Sequence, residues 1–173
     1  PDDLTRLNSA ITEKEVIEAI HHLKNNKAAG FDGIIPEIYK AVTSCERITS
    51  FLVHLFNSIF SSGLYPEAWA EAIIQPIHKK GSIHNPDNYR GISLLNICSK
   101  LYSYIINKRL SVFVEEKDIL GETQAGFRKD HSTIDHIFTL FAMIQKYLLR
   151  NKKLYVAFID FRKAFDLISH CKF

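Results

Sequence analysis

The sequence predicts an α+β fold whose first half is rich in helix. Three observations carry this expectation. Apolar residues recur at helical spacing in several long segments before residue 150. Short runs with extended character lie between the later ones, around Ala72–Ile77 and within "NPDNYRGISLLN". A last apolar run, Leu154–Asp160, alternates its side chains as a strand does. Helices first, then strand pieces mixed with helices, is the element order of an α+β layout.

Each element has a local reason. "ITEKEVIEAIHHLK" opens with Thr12 and Glu15 at capping-box spacing, and Val16, Ile20 and Leu23 then mark one helical face. "NNKAAGFDGI" is punctuated by Asn, Gly and Asp, so Gly30–Gly33 reads as a turn before a helix. "PEIYKAV" is a short helix with Pro36 in its first turn. In "RITSFLVHLFNSIFSSGLYP", Leu52, Leu55, Phe56, Ile59 and Phe60 form an apolar stripe; Gly63 closes the helix and Pro66 prevents its continuation. "CSKLYSYIINKRLSVFV" is helical, with Leu101, Tyr104, Ile105 and Leu110 near one face. "GETQAGFRKDHST" is a polar loop, and Ser132-Thr133 caps the next helix. Ile134, Ile137, Phe138, Phe141, Ile144 and Leu148 make that helix's stripe, and the aromatic residues on such stripes read as core. The basic tail "KYLLRNKK" leads into the strand Leu154–Asp160, apolar on both faces and so expected inside a sheet covered on both sides.

The bulk numbers bound the function. A chain of 173 residues, 46% apolar and 24% charged, is ordinary for a globular protein with a real core. No apolar run approaches the roughly 18 residues of a membrane span, so no membrane partner is expected. The sequence opens at Pro1 without a signal-peptide pattern and reads as cut from something longer. Cys45, Cys98 and Cys171 are odd in number and far apart, which suits a reducing intracellular compartment, nucleus or cytoplasm. His21, His22, His54, His78 and His84 show no ligand spacing. Charge is unevenly spread: residues 75–110 carry six cations (Lys79, Lys80, Arg90, Lys100, Lys108, Arg109) against one acid, Asp87. Such a segment suits a polyanionic partner, and equally a solvated basic face.

The strand end poses the chemical question. Asp160 closes an apolar run, so its charge must be solvated, hydrogen-bonded or paired with a cation. It either caps a following helix or binds magnesium, an ion held by one or two carboxylates together with substrate phosphates. The chemistry suggested is two-metal phosphoryl transfer, for which one carboxylate is not enough.

"FIDFRKAFD" resembles motif A of the reverse transcriptases of non-LTR (LINE-type) retrotransposons and group II introns. "NNKAAGFDGIIPEIYK", "LYPEAWAEAIIQPIHKKG", "NPDNYRGISLLNICSKLYSYIINKRL" and "TQAGFRKDHSTIDHIFTL" resemble that family's preceding blocks, in order, from about Ile11 to Phe165. The resemblance implies a right-hand polymerase fold: fingers and fingers/palm helices over 1–150, and the start of an incomplete palm over 151–173. It implies RNA-directed DNA synthesis with Mg²⁺ or Mn²⁺ as cofactor, and an RNA template, a DNA primer and dNTP as partners. Asp160 matches the catalytic metal ligand, with the backbone carbonyl of Phe161 on the same ion. Lys79 or Lys80 and Arg90 match the cations that reach the triphosphate. Phe165 matches the steric gate against a 2′-hydroxyl. Gln124 and Arg128 match positions near the template.

The family places a pair of aspartates in a hairpin downstream of motif A, and none follows Asp160 here. The expectation is therefore a fragment of a larger polyprotein, without the thumb or any endonuclease domain, and inactive alone. A non-catalytic nucleic-acid-binding remnant of the same fold is the alternative. A phosphotransferase with Asp160 as nucleophile would carry a second Asp two residues on, where Arg162 stands.

Overall fold

A computed structural model describes residues 3–161 and residue 164. The chain divides into two compact units, Pro1–Leu120 and Gly121–Phe173.

The first unit contains α1 (Asp3–Leu7), α2 (Glu13–His22), α3 (Pro36–Ala41), α4 (Glu46–Ser62), α5 (Glu67–Ala70), β1 (Ile73–His78), a 3-10 turn (Pro86–Asn88), β2 (Tyr89–Leu94) and α6 (Ile97–Glu116). The capping box starts α2 as expected: the Glu15 N–H donates to Thr12 Oγ1 at 3.3 Å, and the Thr12 N–H donates to the Glu15 carboxylate at 2.9 Å. Val16, Ala19 and Ile20 of α2 are buried against Leu52, Phe56 and Ile59 of α4 and Ile97, Leu101 and Ile105 of α6. Each such Leu, Ile or Phe contributes about 1.5–3 kcal/mol relative to exposure. Trp69 of α5 meets Phe56 edge-on at 6.2 Å, and the Tyr65 hydroxyl lies 2.7 Å from that of Ser99. Gly63 ends α4 in the left-handed region at φ 69°, the conformation a C-cap glycine supplies at least cost. Of the residues read near one face of α6, Leu101 and Ile105 are buried, whereas Leu110 is exposed, on the part of the helix beyond the buried cluster.

The Gly30–Gly33 turn is a packing junction. The Gly33 N–H donates to Gly30 O at 3.1 Å. Gly30 is buried, and a Cβ there would lie 2.4 Å from Asn96 Oδ1 and 2.6 Å from Asn96 N, at the start of α6. Asn96 itself is buried; its Nδ2 donates to Ala68 O at 3.0 Å, and its Oδ1 accepts no hydrogen bond among the described residues.

β1 and β2 form an antiparallel hairpin with Ile73 opposite Leu94 and His78 opposite Tyr89, the only sheet among the described residues. Helices with a small antiparallel sheet are consistent with the α+β expectation.

The second unit contains the loop 121–132, α7 (Thr133–Leu149) and the segment that follows. Ser132 precedes α7 as its cap, and its N–H donates to the Asp135 carboxylate at 2.7 Å. Two expectations are corrected here. The α7 stripe is uncovered: Ile134, Ile137, Phe138, Phe141 and Leu148 are all exposed, so Phe138 and Phe141 are not core. Leu154–Asp160 is not a strand, and Tyr155, Phe158 and Ile159 are more than 80% exposed. A strand exists only where a neighbour completes its backbone hydrogen bonds. Among the described residues β1 and β2 pair only with each other, and 154–160 pairs with no strand.

Candidate functional site

The hairpin end gathers three of the residues the sequence singled out. Ile77 pairs with Arg90 in the ladder, and the Lys79 N–H extends it by donating to Asn88 O at 2.8 Å. Opposed residues share a face and alternate residues return to it, so Arg90 and Lys79 lie on one side of the ribbon. Lys80 follows at the tip. The loop between the strands is fixed by its own polar groups. Asn88 Nδ2 donates to Ser82 O at 2.8 Å, the Tyr89 hydroxyl to Ile83 O at 2.9 Å, and the Asp87 N–H to Asn85 Oδ1 at 3.0 Å. The His78 and Tyr89 rings meet edge to face at 5.2 Å. Lys79, Lys80 and Arg90 are all exposed, and none forms an ion pair among the described residues. A braced tip carrying three uncompensated cations is chemically suited to an anion such as a phosphate.

The other basic residues of 75–110 divide differently. Lys108 pairs with Glu18, and Arg109 is structural. Arg109 Nε and Nη2 donate to the two Glu15 carboxylate oxygens at 2.6 and 2.7 Å, while its Nη groups also donate to the carbonyls of Leu7, Ser9 and Ala10. Burial pushes the Glu15 carboxyl up, but hydrogen bonds from Arg109 and Thr12 outweigh it and hold the group at about 2. A cavity of about 350 Å³ opens beside this hub, lined by Arg6, Glu15, Lys108, Arg109, Val112 and Phe113. Its charged groups already have partners, Arg6 pairing with Glu116 at 3.0 Å, so it offers no uncompensated charge to a ligand. Sequence position alone could not separate Arg109 from Arg90; the difference lies in tertiary partners.

In the second unit, Gln124 and Arg128 belong to one compact loop. The Gln124 N–H donates to Gly121 O at 3.0 Å, and Arg128 Nη1 donates to the same oxygen at 3.1 Å. Gln124 is exposed and Arg128 half-buried. Between them stands Phe127, 99% exposed and held at φ 63°. Sequence reasoning missed it, because a lone Phe reads as core; its place within "QAGFR" was the available clue.

Asp160 and Phe161 are adjacent and exposed. No group of three or more His, Cys, Asp or Glu able to hold a metal occurs among the described residues. One carboxylate and the next carbonyl make a partial donor set, compatible with a hard cation that also binds water and nucleotide phosphates. Phe165, the expected gate, lies outside the described residues. Lys79, Lys80 and Arg90 belong to the first unit; Gln124, Arg128, Asp160 and Phe161 belong to the second.

Among the described residues no helix is long and apolar enough to cross a membrane. Comparison with known proteins adds identity. The chain is 34% identical over 161 residues to a probable RNA-directed DNA polymerase from transposon BS of Drosophila melanogaster, covering 92% of this chain and 18% of that protein. It is 33% identical over 169 residues to the RNA-directed DNA polymerase from mobile element jockey of the same organism, covering 94% and 18%. It is 30% identical over 161 residues to a retrovirus-related Pol polyprotein from type-1 retrotransposable element R2 of Popillia japonica, covering 92% and 21%. The chain thus spans about a fifth of the length of these curated relatives, which are proteins of non-LTR retrotransposons. The family described as reverse transcriptase (RNA-dependent DNA polymerase) matches residues 77–173, more than half of the chain, from the hairpin through Asp160. A match over more than half of the chain, taking in the NYRG, QAGFR and FIDF motifs, means that the chain belongs to the reverse transcriptase family.

Proposed function

We propose that this chain forms the fingers (1–150) and the first part of the palm (151–173) of an RNA-directed DNA polymerase. The parent copies an RNA template onto a DNA primer from deoxynucleoside triphosphates. The observation that carries this reading is the braced hairpin tip, with three cations that have no carboxylate partner among the described residues, in a chain of this family. Arg90 binds the incoming triphosphate in bidentate fashion, and Lys79 or Lys80 adds a point charge. Asp160, with the Phe161 carbonyl, holds Mg²⁺ or Mn²⁺. The bound ion supplies charge neutralisation at the transferring phosphoryl group. Phe165 packs against the sugar and excludes a 2′-hydroxyl by volume. Gln124 and Arg128 contact the template, and the exposed Phe127 ring offers a face for base stacking. The remaining catalytic carboxylates, the thumb and any endonuclease belong to the rest of the polyprotein, which works in the nucleus or cytoplasm.

Titration of a deoxynucleoside triphosphate with Mg²⁺ into the purified chain tests the hairpin assignment. R90Q is expected to weaken binding by about tenfold or more, the loss of a charge-assisted contact worth about 1.5–3 kcal/mol. K79Q or K80Q, one of the two, should weaken it as well. Equal affinity in R90Q and wild type would remove Arg90 from the site. The chain alone is expected to give no primer extension on a primed RNA template, because no Asp-Asp pair follows Asp160 in it. Incorporated nucleotide would overturn that expectation.

A further inference from the structure

Lys146, Arg150 and Lys152 line a shallow cleft of about 170 Å³ with Tyr147 at the C-terminal end of α7. The way the helix stops builds this cleft. Asn151 adopts the left-handed conformation at φ 52°, and its N–H donates to Leu148 O at 2.9 Å. The Lys152 N–H reaches back to Tyr147 O, also at 2.9 Å. This pair of bonds is a Schellman turn. It brings Lys152 to the cleft where Lys146 and Arg150 already share a helix face at i, i+4 spacing. No carboxylate lies nearby in sequence: residues 136–159 contain neither Asp nor Glu. Lys146, Arg150, Lys152 and Lys153 form no ion pair among the described residues.

The helix dipole accounts for part of this. A cation in the last turn gains about 0.3–1 kcal/mol from the C-terminal carbonyls. It does not account for Lys152 and Lys153, which lie past the helix, nor for convergence of like charges on one cleft. Like charges at i, i+4 oppose each other, so the cluster costs stability unless an anion sits in it.

We propose that the cleft of Lys146, Arg150 and Lys152 binds phosphodiester oxygens of a nucleic-acid strand. The proposal rests on the reading of the parent as a template-copying enzyme and adds a backbone contact outside the residues assigned above. Convergence on a cleft suits a discrete phosphate better than a plane of lipid headgroups, although Phe141, Leu148 and Leu149 are exposed on the same helix.

The test uses the 173-residue chain and a fluorescein-labelled single-stranded RNA, with anisotropy read across a salt series. Wild type should bind with affinity falling as salt rises. K146Q/R150Q/K152Q should reduce the slope of log K against log salt by about 2, at about 0.7 per lost phosphate contact on a single strand. N151V keeps every charge but forbids the left-handed turn, so it should weaken binding, while N151G retains it. Circular dichroism of each variant checks that α7 still forms. An unchanged slope in the triple variant overturns the cleft and leaves the nucleic-acid reading standing. Absence of RNA binding by wild type overturns both. Phosphatidylserine vesicles bound by wild type and lost in the triple variant, with RNA binding intact, would reassign the cleft to a membrane and end the proposal.

Discussion

At the scale of the residue, the contrast between Arg90 and Arg109 shows what decides a cation's role. Arg90 stands exposed on a braced ribbon, whereas Arg109 meets a carboxylate and three carbonyls. The Glu15–Arg109 pair is only partly open to solvent, at 26% and 11% side-chain exposure. Removing one partner of such a pair leaves the other's charge and the freed carbonyls poorly solvated. R109A is expected to lower the urea unfolding free energy by about 3 kcal/mol, the lower end for breaking a buried pair. Acid should act on the same contact. The Glu15 carboxyl is held at about 2 against an ordinary 4.5, so its contribution is complete above pH 4.5 and is lost as the pH falls towards 2. E15Q should therefore be less stable than wild type at pH 7 and show a flatter loss of stability between those two pH values. Parallel acid limbs in wild type and E15Q would contradict this account.

At the scale of the element, what was legible depended on whether the cause was local. The Thr12–Glu15 capping box, the Gly63 stop and the faces of α2 and α4 are written in residues three or four apart, and they form as read. The extended character of β1 and of the NYRGISLL segment was also readable, but their mutual register was not, because pairing depends on residues far apart in sequence. α1 and α5 have five and four residues, too short for any periodicity to announce them. Leu154–Asp160 has strand composition without a partner among the described residues, and composition alone makes no hydrogen bonds. At the candidate site, the three hairpin cations could be named from motifs, while the side-chain bonds bracing the loop could not. The glycine-rich turn before α3 teaches the same lesson with a testable consequence. Gly30 looked like simple punctuation, yet it is seated against Leu95 and Asn96, the two residues that lead into α6. G30A forces a methyl group into that contact, at an expected cost of about 3 kcal/mol by thermal or urea unfolding, the upper end for overpacking. Trimming the facing side chain in G30A/N96A should not restore stability, since Asn96 N and Leu95 C would still lie 2.6 and 2.8 Å from the added Cβ. Recovery in the double variant would show that the side chain alone was the obstacle.

At the scale of the whole molecule, burial is unequally shared between the two units. The hydrophobic core runs from Ile11 to Ile105 and lies entirely within Pro1–Leu120. In Gly121–Phe173, Ala125 is the one buried hydrophobic among the described residues, and the α7 stripe faces solvent. Ordering each residue costs roughly 1–2 kcal/mol of backbone entropy, which apolar burial must offset. The first unit has eleven buried core residues with which to do so; the second, as described, has almost none. A chain ending at Leu120 is therefore expected to unfold cooperatively on its own, with a midpoint close to that of the 173-residue chain. A peptide beginning at Gly121 should show no cooperative transition, and its helix should melt gradually, as isolated helices of this length do. Charged substitution of the uncovered stripe, F138K/F141K, should leave the main transition unmoved and reduce dye binding to exposed apolar surface. A large fall in the midpoint of the 173-residue chain on that substitution, or loss of cooperativity on truncation at Leu120, would mean that the stripe of α7 stabilises the first unit and that the two units share one core.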